Sequence, residues 1–259
     1  MFGIINYLLR SIYMRCHEID YEIEGIDGFE SVKITLDQGE KVIAEAGSML
    51  YMEEGIEMST HLGDGSNPKG GMLSGLMSAG KRMLAGESVA VTHFTNNHSD
   101  RRCVGFHGPY PGTIMGLDLS TVGGVIKAQR GAFLCGAYGT SITVDFTGNI
   151  SSTLFGGEGL IVQKIEGDGI ICLHAGGGLI QRDLKAGESL VVDTGALVAW
   201  TEGIVFEAEF SGGVGNMLFS GEGFFHSRVT GQGQGGTVIM QTMPFSKTVA
   251  EIGKRLPSR

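Results

Sequence analysis

One stretch is written three times in this chain, and its spacing limits what the chain can fold into. Leu84-Ala85-Gly86-Glu87-Ser88, Phe155-Gly156-Gly157-Glu158-Gly159 and Phe219-Ser220-Gly221-Glu222-Gly223 place their glutamates 71 and then 64 residues apart. A glycine landmark precedes each. Gly131 and Gly195 both stand 27 residues before their glutamates, and Gly47 stands 40 before Glu87. The first copy is therefore longer, and the other two are near-equal units. A repeat of this size is one supersecondary unit that cannot bury its apolar face alone, so the copies must share an interior.

The pattern between the landmarks is that of strands. Tyr21 and Ile23, then Val32, Ile34 and Leu36, alternate with polar residues at a period of two, as half-buried strands do. Lys41 to Ala46 follows the turn Asp37-Gln38-Gly39-Glu40. In the second copy Gly123 to Ala128, Gly131 to Leu134 and Ile142 to Phe146 read the same way. In the third, Ser189 to Val192 and Leu197 to Trp200 flank Gly195. Ile204, Phe206, Ala208 and Phe210 then share one face, with Glu207 and Glu209 on the other. Glycine makes up 44 of 259 residues and proline 5, against a usual glycine share of ~7%. Without a Gly-X-Y period this means many turns between short strands.

The excess in the first copy falls where the pattern breaks. His61 to Gly71 is a polar, glycine-rich loop. Met72, Leu73, Leu76, Met77, Gly80, Met83 and Leu84 then recur at helical spacing, with Lys81 and Arg82 on another side. The expected organisation is a leader or extension over 1–20, a single triplicated β domain over 21–245 with repeats of about 21–100, 101–168 and 169–245, and a tail over 246–259. Ile252 and Leu256 at i, i+4 give that tail a short helix.

Charge excludes some functions. Nineteen basic against 28 acidic residues leave a net charge of −9, a poor match to a phosphate backbone, whose binders cluster Lys and Arg. Cys16, Cys103, Cys135 and Cys172 form no CxxC pair and sit in or near apolar runs, which reads as buried free thiols in a reducing cytoplasm. The apolar stretch from Phe2 to Leu9 is too short to span a bilayer. The seven histidines form neither HxH nor HExxH, and their offsets from the repeated glutamates disagree, so no symmetric metal site is expected. Six residues beyond each glutamate, however, stand His93, Lys164 and Arg228. If the copies close about an axis, these are candidates for a cationic ring that holds an anion; otherwise they are basic residues at equivalent strand positions. The repeated Gly-Glu reads as a turn glycine beside a carboxylate that accepts a turn amide, because Gly39-Glu40 and Gly187-Glu188 show the same dipeptide in other turns.

Leu36-Asp37-Gln38-Gly39-Glu40, Glu45-Ala46-Gly47-Ser48-Met49, Gly80-Lys81-Arg82-Met83-Leu84-Ala85-Gly86-Glu87-Ser88 and Phe219-Ser220-Gly221-Glu222-Gly223 together resemble a known family. It is the bacterial and archaeal family of uncharacterised proteins whose eukaryotic branch is named for altered inheritance of mitochondria. The resemblance runs from about Tyr21 to Phe245. It implies an all-β fold similar to the tryptophan RNA-binding attenuation protein, a triplicated β-sandwich with pseudo-threefold symmetry, here with one helix inserted around 70–85. It implies no catalytic residues. The expectation is a cytoplasmic, non-enzymatic binding or scaffold protein without a cofactor, which self-associates through strand edges or the methionine-rich segment. Association with a membrane surface through residues 72–84, peripheral at the inner membrane, is the alternative. Binding of a small anion or of RNA is a second alternative.

Overall fold

The computed structural model describes residues 16, 18–62, 90–145, 161–210 and 225–255. The repeated glutamates Glu87, Glu158 and Glu222 and the helix expected over 72–84 lie outside the described residues. Within them the chain is a succession of antiparallel strands. After β1 (Asp20–Ile26) come three runs of six. The first holds β2 (Phe29–Leu36), β3 (Lys41–Glu45), β4 (Met49–Met52), β5 (Ile56–Leu62), β6 (Ala90–Asn96) and β7 (Arg102–His107). The second holds β8 (Gly112–Asp118), β9 (Val125–Gln129), β10 (Phe133–Ala137), β11 (Ser141–Asp145), β12 (Val162–Glu166) and β13 (Ile170–Gly176). The third holds β14 (Leu179–Leu184), β15 (Ser189–Asp193), β16 (Leu197–Thr201), β17 (Ile204–Phe210), β18 (Phe225–Gly231) and β19 (Gly236–Gln241). A helix, α1 (Phe245–Gly253), follows in the tail; it includes Ile252, and Leu256, the other residue of the expected i, i+4 pair, lies outside the described residues.

Each run pairs its strands in the same way. β3, β9 and β15 pair with β6, β12 and β18, which pair in turn with β5, β11 and β17. β4, β10 and β16 pair with β7, β13 and β19, which pair with β2, β8 and β14. Even the irregularities recur. A register shift falls between Met49 and Tyr51, between Phe133 and Cys135, and between Leu197 and Ala199. Gly39, Gly123 and Gly187 all have φ near +80°, the left-handed conformation that a side chain resists. The carboxylates of Glu40 and Glu188 accept the amides of Asp37 and Lys185, each at 2.8 Å, so the Gly-Glu dipeptides at these two turns do what the sequence suggests.

Neighbouring runs are stitched together by strand pairing. β3 pairs with β10, giving the six-stranded sheet β5-β6-β3-β10-β13-β8, and β9 pairs with β16, giving β11-β12-β9-β16-β19-β14. The remaining strands form a four-stranded sheet, β1-β2-β7-β4, and a three-stranded one, β15-β18-β17.

The middle of the first six-stranded sheet is covered on both faces. Val42 and Ala44 of β3, and Cys172 of β13, point into a core with Ile34, Leu36, Phe94 and Phe106. Ile43, Ile171 and Leu173 point the other way, into a core with Ile126, Ile165, Val198 and Ile239. Double burial explains why these strands read as continuous apolar runs and not as alternation. The second of these cores draws side chains from all three runs. A third gathers Val162, Leu197, Trp200, Val229 and Val238. β1 departs from the expected half-buried strand. Tyr21 and Ile23 are about 40% exposed, because β1 adds to the outer side of β2 and its Tyr21 ring lies over the bare backbone of Gly116.

Candidate functional site

Among the described residues, two strand edges differ from their counterparts in the other runs. β10 and β16 are buried along almost their whole length. β4, which occupies the same place in the first run, has all four of its residues exposed, Leu50 by 51%. β4 is as apolar as its counterparts: Met49-Leu50-Tyr51-Met52 follows Gly47 as Phe133-Leu134-Cys135-Gly136 follows Gly131. It differs in having, among the described residues, a strand on one side only, β7. β15 is the mirror case. Its counterparts β3 and β9 are flanked on both sides, whereas β15 pairs only with β18 among the described residues and leaves Val191 49% exposed. The sequence reading found β15 but not β4. The signal was present, since aligning Gly47 with Gly131 places Met49–Met52 on β10.

At the end of β4 the chain lines an open cleft of about 580 Å³ with Glu53, Glu54, Gly55, His98 and Arg102. Its polar groups are held locally. Arg102 Nε donates to the Glu54 carbonyl at 3.0 Å, Glu53 accepts the Cys103 amide at 2.8 Å, and His98 Nε2 stands 3.0 Å from Arg102 Nη2.

His93, Lys164 and Arg228 do occupy equivalent positions. They face Ile43, Lys127 and Val191, each four residues before its landmark glycine. The three lie in three different sheets. His93 is buried, with its ring edge-on to Tyr138 at 5.5 Å. Lys164 pairs with Glu166 at 2.8 Å. Arg228 lies opposite Glu207 on β17.

The cysteines are free, with Cys16, Cys135 and Cys172 buried and Cys103 half-buried. Burial, and after it the neighbouring Cys172 sulfur, pushes the Cys135 thiol well up.

His174, which the sequence did not single out, is buried against Gly108 and Gly112, with Nε2 donating to the Tyr110 carbonyl at 3.0 Å. Nδ1 is buried without a partner. Burial above all, and then the nearby His107, holds its pKa below the ordinary histidine value, against the opposing pull of the Tyr110 bond. A histidine depressed in the folded state binds its proton more readily when unfolded, so stability falls as pH drops through about 6.5. Chemical denaturation at pH 7 and pH 5.5 should show a lower midpoint at the acid value. His174→Gln, which keeps a donor for Tyr110, should flatten that slope; an unchanged slope would assign it elsewhere.

No helix among the described residues is long and apolar enough to cross a membrane. Residues 21–243 match the family Mitochondrial biogenesis AIM24. This chain belongs to that family. An uncharacterised protein of Streptococcus pyogenes serotype M6 is 27% identical to it over 232 residues, covering 89% of this chain and 88% of that protein. An X-ray crystal structure of a Streptococcus pyogenes protein superposes with a TM-score of 0.72 at 23% identity, covering 92% of this chain and all of the other. At that identity the likeness is one of fold, and the fold of this chain is all-β with several antiparallel sheets.

Proposed function

We propose that this AIM24-family chain acts by association and not by catalysis, as a scaffold whose copies join through strand edges. In this reading residues 21–245 are one domain of three copies, related by a pseudo-threefold arrangement like that of the tryptophan RNA-binding attenuation protein. Three matching sets of strand pairings and a core drawn from all three runs support it. The observation that carries the associative role is β4, which is exposed, apolar and, among the described residues, paired on one side only. An edge of this kind is a template for another strand, which proteins ordinarily blunt with charge, proline or a cover. Met49-Leu50-Tyr51-Met52 has neither charge nor proline. The non-catalytic part rests on how the titratable groups are used. Glu40 and Glu188 cap turns, Lys164 pairs with Glu166, and His174 holds a loop carbonyl.

Native mass spectrometry and sedimentation across a dilution series test this. Masses at multiples of the 27.4 kDa chain are expected. A single-chain mass at every concentration would reject the associative role.

A further inference from the structure

Given that associative reading, the structure also assigns which surfaces meet. We propose that β15 of one copy pairs antiparallel with β4 of another, with Val192 opposite Tyr51, Val191 opposite Met52 and Leu190 opposite Glu53.

The argument is that the chain already makes this joint twice. Where β3 meets β10, Ala44 faces Cys135, Ile43 faces Gly136 and Val42 faces Ala137. Where β9 meets β16, Ala128 faces Ala199, Lys127 faces Trp200 and Ile126 faces Thr201. Counted from the landmark glycines, the two registers are identical: three residues before the glycine of one run meets four after the glycine of the next. A third joint of the same kind would take its donor strand from the third run and its acceptor from the first. Those strands are β15 and β4, and among the described residues they are the two that lack this neighbour. Counting from Gly195 and Gly47 gives the register stated above.

The acceptor is shaped for the role. β4 carries the same register shift as β10 and β16, and a bulge of this kind sets local twist. Charge fits as well. Across the first joint His93 meets Tyr138, which stands seven residues after Gly131. The equivalent positions are Lys164 and Glu202 at the second joint, and Arg228 and Glu54 at the proposed one. The proposed joint therefore sets an arginine against a carboxylate across the boundary.

Because the two edges differ, the contact is heterologous. It repeats from copy to copy and stops only when a ring closes.

Cysteine cross-linking of the full chain tests the assignment. In a Cys103→Ser background, Val191→Cys protein is mixed with Met52→Cys protein and oxidised. A parallel mixture replaces the second with Met58→Cys, whose residue is no less exposed than Met52 but lies on β5. A linked pair at twice the chain mass, with the peptides holding positions 191 and 52 joined, is expected in the first mixture, at least about tenfold over the second. Val191→Lys, a charge placed on the edge, should raise the dissociation constant of the assembly by about tenfold or more with the circular dichroism spectrum unchanged. If native mass spectrometry finds assemblies but positions 191 and 52 do not link between chains, the edge assignment fails and the associative role stands. If the doubly substituted chain links only within itself, the two edges meet inside one molecule and the inter-copy joint is rejected. If every sample is a single chain, both fall together.

Discussion

Cutting Phe106 back to alanine lowers the unfolding free energy by about 3–5 kcal/mol, and the lone tryptophan, far along the chain, records the whole loss. Phe106 is fully buried on β7 and packs edge-to-face on Phe94 at 5.1 Å. Removing such a ring gives up its transfer energy and leaves a cavity that stiff neighbours fill only in part, which sets that magnitude. A domain of ordinary stability has about 5–15 kcal/mol in all, so the change is large. Its second half concerns architecture. Trp200 is the chain's single tryptophan, buried on β16 and stacked on Phe206 at 5.3 Å. It belongs to the third run, whereas Phe106 belongs to the first. The sheet holding β3 and β10 separates the core around Phe106 from one that also takes Val198 and Ile239 of the third run. Shared burial of this kind should make the runs unfold together. Fluorescence and circular dichroism should give coincident denaturation curves, displaced by the same amount in the variant. A Trp200 transition that ignored the Phe106 substitution would mean separately folding parts.

Much of this design could be read from residue spacing, and the exceptions have physical causes. The landmark glycines were informative because Gly47 and Gly131 sit at φ of 89° and 84°, where other residues are strained, so their spacing survives as a ruler. Gly195 keeps the ruler's position without that backbone. It lies in a short 3₁₀ turn capped by the Asp193 carboxylate and has no positive φ. β4 escaped the reading because a period-two test looks for alternation, and Met49-Leu50-Tyr51-Met52 is apolar throughout, like the doubly buried β10. The sequence of an open edge and that of a covered one are alike when each is made to be covered. β1 misled in the opposite direction. Its alternation is real, but Tyr21 leans on Gly116 from outside, so the pattern marks contact without enclosure. The offsets of His93, Lys164 and Arg228 found true structural equivalents. Whether equivalent residues face one ligand depends on which sheets hold them, and that is set by pairings between runs that no local window contains.

Gly112→Ala should be among the most damaging single-methyl changes in the chain, costing about 3 kcal/mol, at the upper end of what overpacking usually costs. The reason is space. A Cβ on Gly112 would stand 2.2 Å from the Ala175 carbonyl oxygen and 2.3 Å from His174 Nε2. Ala175 is held in the β8–β13 ladder opposite Thr113, and the imidazole is held by its bond to Tyr110. Neither can retreat without breaking backbone pairing or stranding the Nε2 proton in a buried place. Tyr110 in turn stacks on Phe245 of α1 at 4.7 Å, so displacement there should loosen the C-terminal helix as well. Gly123→Ala separates this effect from conformational cost. Gly123 has φ of 84° but nothing within 4 Å of a new Cβ, so it should lose only the left-handed penalty of about 1–2 kcal/mol. Urea denaturation of the two variants should place Gly112→Ala well below Gly123→Ala, and hydrogen exchange should show lost protection in α1 for the first alone. If the two variants fell together, crowding around His174 would not be what fixes the β8–β13 end of the sheet.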